Sequence, residues 1–588
     1  MSNILIGQGA SPGQSGIPGC LAASTGEPGG QVGLELLGQA GVVAVRVADL
    51  ASPARKGLGK DERTALVAAG AGRIGTGDLV VFCKPVAVAS AVVRRDGRVQ
   101  AAGHPADHVR LGVAEERLDA LCGEPGVIGK VAAGVVLKGK VKGTARRAMT
   151  TAMVIRLVLL MTLMPGSCYA EAIAALLGDL PLVPWHRRYQ VPTPAVACTW
   201  RDAAGPAPLE ELRDRALAGI DAGHRDHDWR AVLVGALEVC SIDGSLTRVP
   251  DTPGNRGAFG SAGTADGSAP YPQVRELRCS IASTRATVGV VTGPSGAGGG
   301  RDKGEAEQKL LDSALAKYPR IFTPGRLWAM DRNFPGVPRI KKMLATGTHV
   351  LIRVKDGITL TRTGDFLPDG SYPALICGGG EKLDVRVIEY QVSVAGRDTP
   401  ELFCLLTDLA DWQAYPAGML AAAYHWRWIG SETTLKEAKS AIRESGPSAG
   451  PMLRSASPAL IAQEHAAWVL SAELARALAR DAAVVAAPAR KGRRARLPVH
   501  PREISFTAAR RAIIASTWSG AATASLPPAL TSANRARILD ALARCRITID
   551  RHRHRDRKTK ARLAFPHGGP GIPTLSAPAQ ITVCGAAA

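Results

Sequence analysis

Two apolar, β-type runs in this chain each deliver an aspartate. Residues 232–240 lead into Ser241, Ile242, Asp243 and Gly244, and Leu327, Trp328, Ala329 and Met330 lead into Asp331. An ionised carboxylate placed against buried strands is costly unless it is paired or neutralised. Taken alone, each aspartate is also an ordinary turn cap. Taken together with the elements between them, they restrict the fold far more.

Those elements follow a readable order. Residues 274–283 and 286–292 are two further β-type runs, 293–300 are a glycine-rich loop, and 305–317 have helical spacing. Three strands, a helix and a strand predict an α/β catalytic core of the ribonuclease-H-like kind. More β pattern follows at 348–354, 383–394 and 401–407, with the turn signal Pro368-Asp369-Gly370 among it. This predicts a β-rich insertion over about 345–410, between the second aspartate and the helices at 416–428, 432–443 and 458–478.

The flanks differ from this core. Residues 1–105 are rich in glycine, alanine and valine, with Phe82 their sole aromatic. They read as a low-aromatic extension, disordered or preceding the true start, with short strands at 41–47 and 78–82. Residues 106–228 read as a helical N-terminal domain for binding DNA ends, with a basic edge at Lys138, Lys140, Lys142, Arg146 and Arg147. The catalytic domain spans 229–480. Residues 481–588 read as a basic, partly disordered C-terminal region. Seven of the twelve residues at 551–562 are Arg or Lys, including Arg551, Arg553 and Arg555.

Charge narrows the partner. The chain has 588 residues and a formal net charge of +22. A surplus of that size favours a polyanion, and nucleic acid before a membrane surface. The most apolar run, 153–164, contains Arg156 and stops at Pro165, too short to span a bilayer. The first residues show no basic-then-apolar secretory pattern. Eleven scattered cysteines contain no C-x2-C pair, which argues against a structural zinc and a disulfide framework. A cytoplasmic, nucleoid-associated bacterial protein fits these features. The loop at 293–300 lacks a Gly-Lys-Ser/Thr ending and is not a phosphate-binding P-loop.

Phosphodiester chemistry requires an activated oxygen nucleophile, a stabilised leaving oxygen and neutralised phosphoryl charge. Two divalent ions supply all three, and hard ions select carboxylates over thiols and imidazoles. Asp243 and Asp331 are candidate ligands, and Gly244 leaves room for a close approach. Glu432 is the third. Ser431 before it reads as an N-cap, so Glu432 would open a helix where the dipole favours an anion. Lys436 and Lys439, four and seven residues on, share its helix face. An exposed Glu-Lys pair is the plainer reading of that spacing.

The segments resemble the insertion sequence 4 family of bacterial DDE transposases. The run from Ser241 through Asp243 and Asp251 to Asn255 resembles the family's first aspartate block, and Tyr271 to Arg275 its following strand. Met330-Asp331-Arg332-Asn333-Phe334 resembles its second. Tyr424, Arg427, Glu432 and Lys439 resemble its Tyr-Arg-Glu-Lys signature. The likeness covers most of 109–562. It implies cut-and-paste transposition, with Asp243, Asp331 and Glu432 catalytic and holding two Mg2+ ions (Mn2+ substituting). It implies that Tyr424, Arg427 and Lys439 grip DNA; apart from the resemblance, Lys436 on the Glu432 helix face and Arg551, Arg553 and Arg555 in the basic run read as further phosphate contacts. The implied partners are terminal inverted repeats and target DNA, bound by a homodimer, and a hairpin intermediate is known in related enzymes.

Two departures stand out. Four residues separate Arg427 from Glu432, where the signature has three. The expectation is that Gly430 ends one helix and Ser431 starts another, because in a continuous α-helix one extra residue turns Arg427 by about 100°. Asn333 stands where a small residue is common, and this substitution reads as of little consequence. A nuclease or resolvase on the same core, or a decayed DNA-binding derivative, are the alternatives.

Overall fold

The run expected to deliver Asp331 is a strand that lies between two parallel neighbours in a mixed sheet. The computed structural model describes residues 109, 111–137, 149–178, 189–225, 233–261, 263–264, 267–268, 271–295, 303–355, 357–393, 400–443, 452–486, 499–516, 528–547 and 580–585, together with short backbone elements in 42–101. Lys138, Lys140, Lys142, Arg146, Arg147, most of the glycine-rich loop, and Arg551, Arg553 and Arg555 lie outside the described residues.

The chain divides into two compact units: 1–103 with 524–530, and 104–523 with 531–588. In the first, β1 (Val42–Arg46), β2 (Leu79–Cys83), β3 (Val88–Val93) and β4 (Val99–Ala101) form an antiparallel meander. Two of its strands fall on the valine-rich runs at 41–47 and 78–82.

Among the described residues the second unit begins with the helices α1 (Val113–Cys122), α2 (Val127–Ala133), α3 (Thr151–Leu163), α4 (Tyr169–Leu177), α5 (Pro194–Ala204) and α6 (Ala207–Arg225). Side-chain oxygens of Thr150 and Thr193 cap α3 and α5. The strands follow as β5 (Leu233–Val234), β6 (Leu237–Arg248), β7 (Gly263–Thr264), β8 (Gly267–Ser268), β9 (Gln273–Ile281) and β10 (Ala286–Pro294), with α7 (Pro253–Phe259) after β6. Next come α8 (Lys303–Lys317), β11 (Arg326–Met330), α9 (Val337–Leu344) and β12 (His349–Arg353). Strands β13 (Leu360–Arg362), β14 (Tyr372–Gly378), β15 (Glu381–Ser393) and β16 (Glu401–Thr407) complete the run before helices α10 (Ala417–Arg427) and α11 (Thr433–Arg443). The chain ends with α12 (Pro458–Val485), α13 (Phe506–Ser516), α14 (Pro528–Arg544) and β17 (Gln580–Val583).

The main sheet has the order β10-β9-β6-β11-β12-β16-β15-β14-β13, with β5 beside β6 and β17 beside β15. Strands β6, β11 and β12 are parallel; β9 runs antiparallel to β6, and β10, antiparallel to β9, points the same way as β6. This mixed α/β sheet has the strand, strand, strand, helix, strand order expected of the core. The later β strands extend the same sheet through β12 and β16.

Alternation sorts the two faces of the sheet. Cys240, Ile242, Leu277 and Cys279 pack on Leu310 and Leu311 of α8 and Ile340 of α9. Val239, Leu327, Ala329 and Leu351 pack on Leu420, Ala421 and Tyr424 of α10. Helix α12 is buried nearly all round, and its Ala466, Leu470 and Leu474 share one core with α1–α6, α13 and α14. The segments 106–228 and 481–588, read as separate regions from the sequence, are therefore joined through α12. The C-terminal region also contains α13, α14 and β17, which are ordered elements within that expected tail. Among the described residues no helix is long and apolar enough to cross a membrane.

Trp328 anchors β11. It is fully buried and its ring lies 5.0 Å from that of Phe322. We expect Trp328→Ala to cost about 3–5 kcal/mol, the scale of large-to-small core substitutions, read as a drop in the urea midpoint. A loss below about 1 kcal/mol would mean that β11 does not depend on this packing.

Candidate active site

Asp243 lies within β6, not at its end as the sequence suggested. Strand β6 runs on to Arg248 because β9 continues to pair with it, while β11 stops at Met330, opposite Ile242. Asp243 is thus level with Asp331, at the point where one neighbour of β6 falls away. That step in the sheet lets two aspartates from parallel strands stand side by side.

Glu432 arrives from the helical side by an unexpected route. Helices α10 and α11 are one continuous rod joined by a π-helical turn, Trp428–Glu432. The Thr433 N–H donates to the Trp428 carbonyl, an i→i−5 bond, and the Thr433 hydroxyl donates to the same carbonyl at 3.1 Å. Ser431 does not cap a new helix; its Oγ donates back to the Arg427 carbonyl at 3.0 Å. Gly430 does not break the helix either. A Cβ there would come within 2.6 Å of Ser241 Oγ and 3.0 Å of Ala282 Cα, so glycine permits close contact between the rod and the sheet. A π turn inserts one residue into a helix without ending it. The extra residue between Arg427 and Glu432 is accommodated in this turn, and both side chains reach the same place.

Arg427 joins the carboxylates. Its Nη1 lies 3.4 Å from Asp243 Oδ2 and its Nη2 donates to Glu432 Oε1 at 3.2 Å. The guanidinium is buried and lies over the Trp428 ring at 4.7 Å. Burial works against its charge, yet Tyr424, Asp243, Glu432 and Asp331 outweigh it and lift its pKa above the ordinary arginine value. Tyr424 is fully buried, and the Arg427 guanidinium lies 5.7 Å from its ring centre. Burial pushes the Tyr424 hydroxyl up, and Arg427 opposes the shift. The resemblance implied DNA contacts for Tyr424 and Arg427; here both face the protein interior. Lys436 is exposed on α11, and Lys439 Nζ donates to the Leu246 carbonyl of β6 at 3.1 Å.

A fourth carboxylate, which the sequence reading missed, lies in the same neighbourhood. Glu307 of α8 accepts from Arg275 Nη1 at 2.5 Å and from Asn333 Nδ2 at 3.2 Å. It occupies the space that a Cβ on Gly244 would need: such an atom would lie 2.5 Å from Glu307 Oε1. A glycine directly after the first aspartate was the available signal; the group that approaches it is this side chain. Burial raises the Glu307 carboxyl, Arg275 opposes, and Asp331 adds to the rise.

The crowding is felt most at Asp243. Burial pushes its carboxyl up, Arg427 pulls it down, and Asp331, Glu432 and Glu307 raise it further, to about 7. Among the described residues no three carboxylate, imidazole or thiol groups stand close enough to hold one ion as they are placed. The Arg427 guanidinium lies between two of the acids instead. The donor set is nonetheless all oxygen, which fits a hard divalent ion, and its excess negative charge is what such an ion relieves.

No protein-family description matches the chain, and a comparison with curated proteins finds none similar in sequence. Among solved structures, the cryo-EM structure of the piggyBac transposase synaptic complex with hairpin DNA overlays 75% of this chain and 85% of that chain, at 10% identity and a TM-score of 0.35. So loose an overlay fixes neither fold nor function.

Because its folded-state pKa is raised, Asp243 keeps a proton that the unfolded chain loses near 3.8. Between those values the folded state holds more protons, so stability at this site falls as pH rises toward 7. We expect Asp243→Asn to raise the melting temperature at pH 8, with the gain shrinking toward pH 5. An equal or negative change at both pH values in thermal melts would contradict the assignment.

Proposed function

We propose that this chain is a DNA transposase that cleaves and joins phosphodiester bonds in a metal-dependent, cut-and-paste reaction, as in the insertion sequence 4 family that its motifs resemble. One observation carries the reading: Asp243, Asp331 and Glu432, picked from three separated segments, converge around Arg427 at the step between β6 and β11. The net charge of +22 supports double-stranded DNA as the partner. Terminal inverted repeats, target DNA and a homodimer on paired ends belong to the same proposal.

Asp243, Asp331 and Glu432 would hold the ions. Bound Mg2+, or Mn2+ in its place, would supply Lewis-acid neutralisation of phosphoryl charge and activation of the attacking oxygen. The chain's own residues do the rest. Arg427 balances Asp243 and Glu432, and Tyr424 packs beside it and restrains it. Lys436 presents an exposed ammonium on the helix face that carries Glu432, placed for a DNA phosphate. Lys439 fastens α11 to β6 and so fixes the height of Glu432 against Asp243. The π turn sets the rotation of Arg427 relative to Glu432.

The test uses DNA carrying the inverted repeats that flank the gene, together with a target plasmid. The wild-type chain is expected to cut the ends and insert them. Asp331→Ala should lower cleavage by at least about a thousandfold, the scale on which losing one member of a catalytic unit acts, while end binding in a gel-shift assay is retained. Unchanged cleavage in that variant would show the site to be misassigned. Cleavage by the wild type with no joined product would make the chain a nuclease on this core.

A further inference from the structure

The turn after β11 is fastened to α8 at two adjacent residues. Asn333 Nδ2 donates to Asp331 Oδ2 at 3.3 Å and to Glu307 Oε2 at 3.2 Å. Its backbone N–H donates to Asp331 Oδ1 at 2.8 Å, and its carbonyl accepts from Gln308 Nε2 at 3.0 Å. The Gln308 amide oxygen in turn accepts from Arg339 Nη1 of α9 at 3.0 Å. Only an NH2 group can face two carboxylates at once, so the orientation of this amide follows from its neighbours. Both oxygens of Asp331 are therefore engaged by one residue. That residue is held by Glu307, whose other oxygen is held by Arg275 of β9.

We propose that Glu307 is a positioning residue for Asp331, acting through the Asn333 amide. The proposal rests on the transposase reading, since it gives Asp331 its work. The order of contact is Arg275, Glu307, Asn333, Asp331, and each link is a hydrogen bond between named atoms. Without Glu307 the Asn333 amide has one anchor fewer, and the Asp331 carboxylate gains freedom to turn about its last side-chain bond. Arg275 also ties Glu307 to the Ser295 carbonyl, at 3.3 Å from Nη2, so the series starts from a buried and fixed group. Asn333, which a sequence comparison would pass over as a tolerated substitution, is then the residue that joins α8 to the site. A small side chain at that position could not span the two acids.

A double-mutant cycle tests this. Glu307→Ala, Asn333→Ala and the double variant are compared with the full-length wild type for cleavage kcat, for KM toward the end DNA, for the gain in melting temperature on adding Mn2+, and for melting temperature without metal. Partners that orient a metal-binding carboxylate typically matter by about 10–100-fold, so each single variant should lose about tenfold in kcat with KM little changed. The double variant should lose no more than either single one, because the two act in series. Losses that multiply in the double variant would overturn the proposal and make Glu307 an independent ligand. Lower melting temperatures with kcat and the Mn2+ response intact would overturn it in favour of a purely structural Arg275–Glu307 pair. Asn333→Ala alters no ion pair, so it keeps the test open if Glu307→Ala fails to fold. If the wild type neither cleaves nor responds to Mn2+, the transposase reading itself fails and the positioning role falls with it. If the wild type does both and the variants match it, only the positioning role fails.

Discussion

Like charges crowded at the step between β6 and β11 govern this structure. Asp243, Asp331, Glu432 and Glu307 come from two strand segments and two helices; burial pushes the Asp243 carboxyl up, and Asp331, Glu432 and Glu307 add to the rise, to about 7. Cations and amides answer that repulsion. Arg427 lies between Asp243 and Glu432, Arg275 holds Glu307, and the Asn333 amide separates Glu307 from Asp331. A set so expensive to assemble is the form that stored electrostatic strain takes at sites where a further cation or an anionic substrate is handled. The sheet places the acids, and the basic side chains keep them tolerable when the chain folds.

The π turn shows how one residue can be added without losing a site. In an ordinary α-helix the additional residue would swing Arg427 about 100° away from Glu432. The wider turn at Trp428–Glu432 absorbs it, and Gly430 lets that bulge lie against Ser241 and Ala282. The consequence reaches the core, because Tyr424, one turn before Arg427, stays packed between the rod and the sheet. A second buried acid is held in a similar way further along β9. Burial alone would raise the Glu276 carboxyl, but Arg278 and His465 hold it well below its ordinary value, which ties β9 to the buried helix α12.

Much of this was legible in the chain. The apolar runs before Asp243 and Asp331 carried the period and length of strands, and the intervening helix carried its own, so the order of the core followed. What one dimension concealed was relative height. Nothing local to β6 says that β11 stops beside its middle, so Asp243 looked like a strand end. Ser431 has the chemistry of an N-cap, but in the continuous π turn its hydroxyl turns back to the Arg427 carbonyl. Glu307 resembles any surface glutamate near the start of a helix, since its partners Arg275 and Asn333 are 32 and 26 residues away. The union of the early and late helices around α12 was equally hidden, because burial on every side of a helix depends on neighbours from distant segments.

The proposed role of Asp243, Asp331 and Glu432 is to act as one centre for divalent ions. Calorimetric titration of Mn2+ into the full-length chain tests it most directly, in parallel with Asp243→Asn, Asp331→Asn and Glu432→Gln. Saturable binding by the wild type that is weakened by every one of the three substitutions is the expected result. Wild-type binding that none of the three alters, or no binding at all, would contradict it.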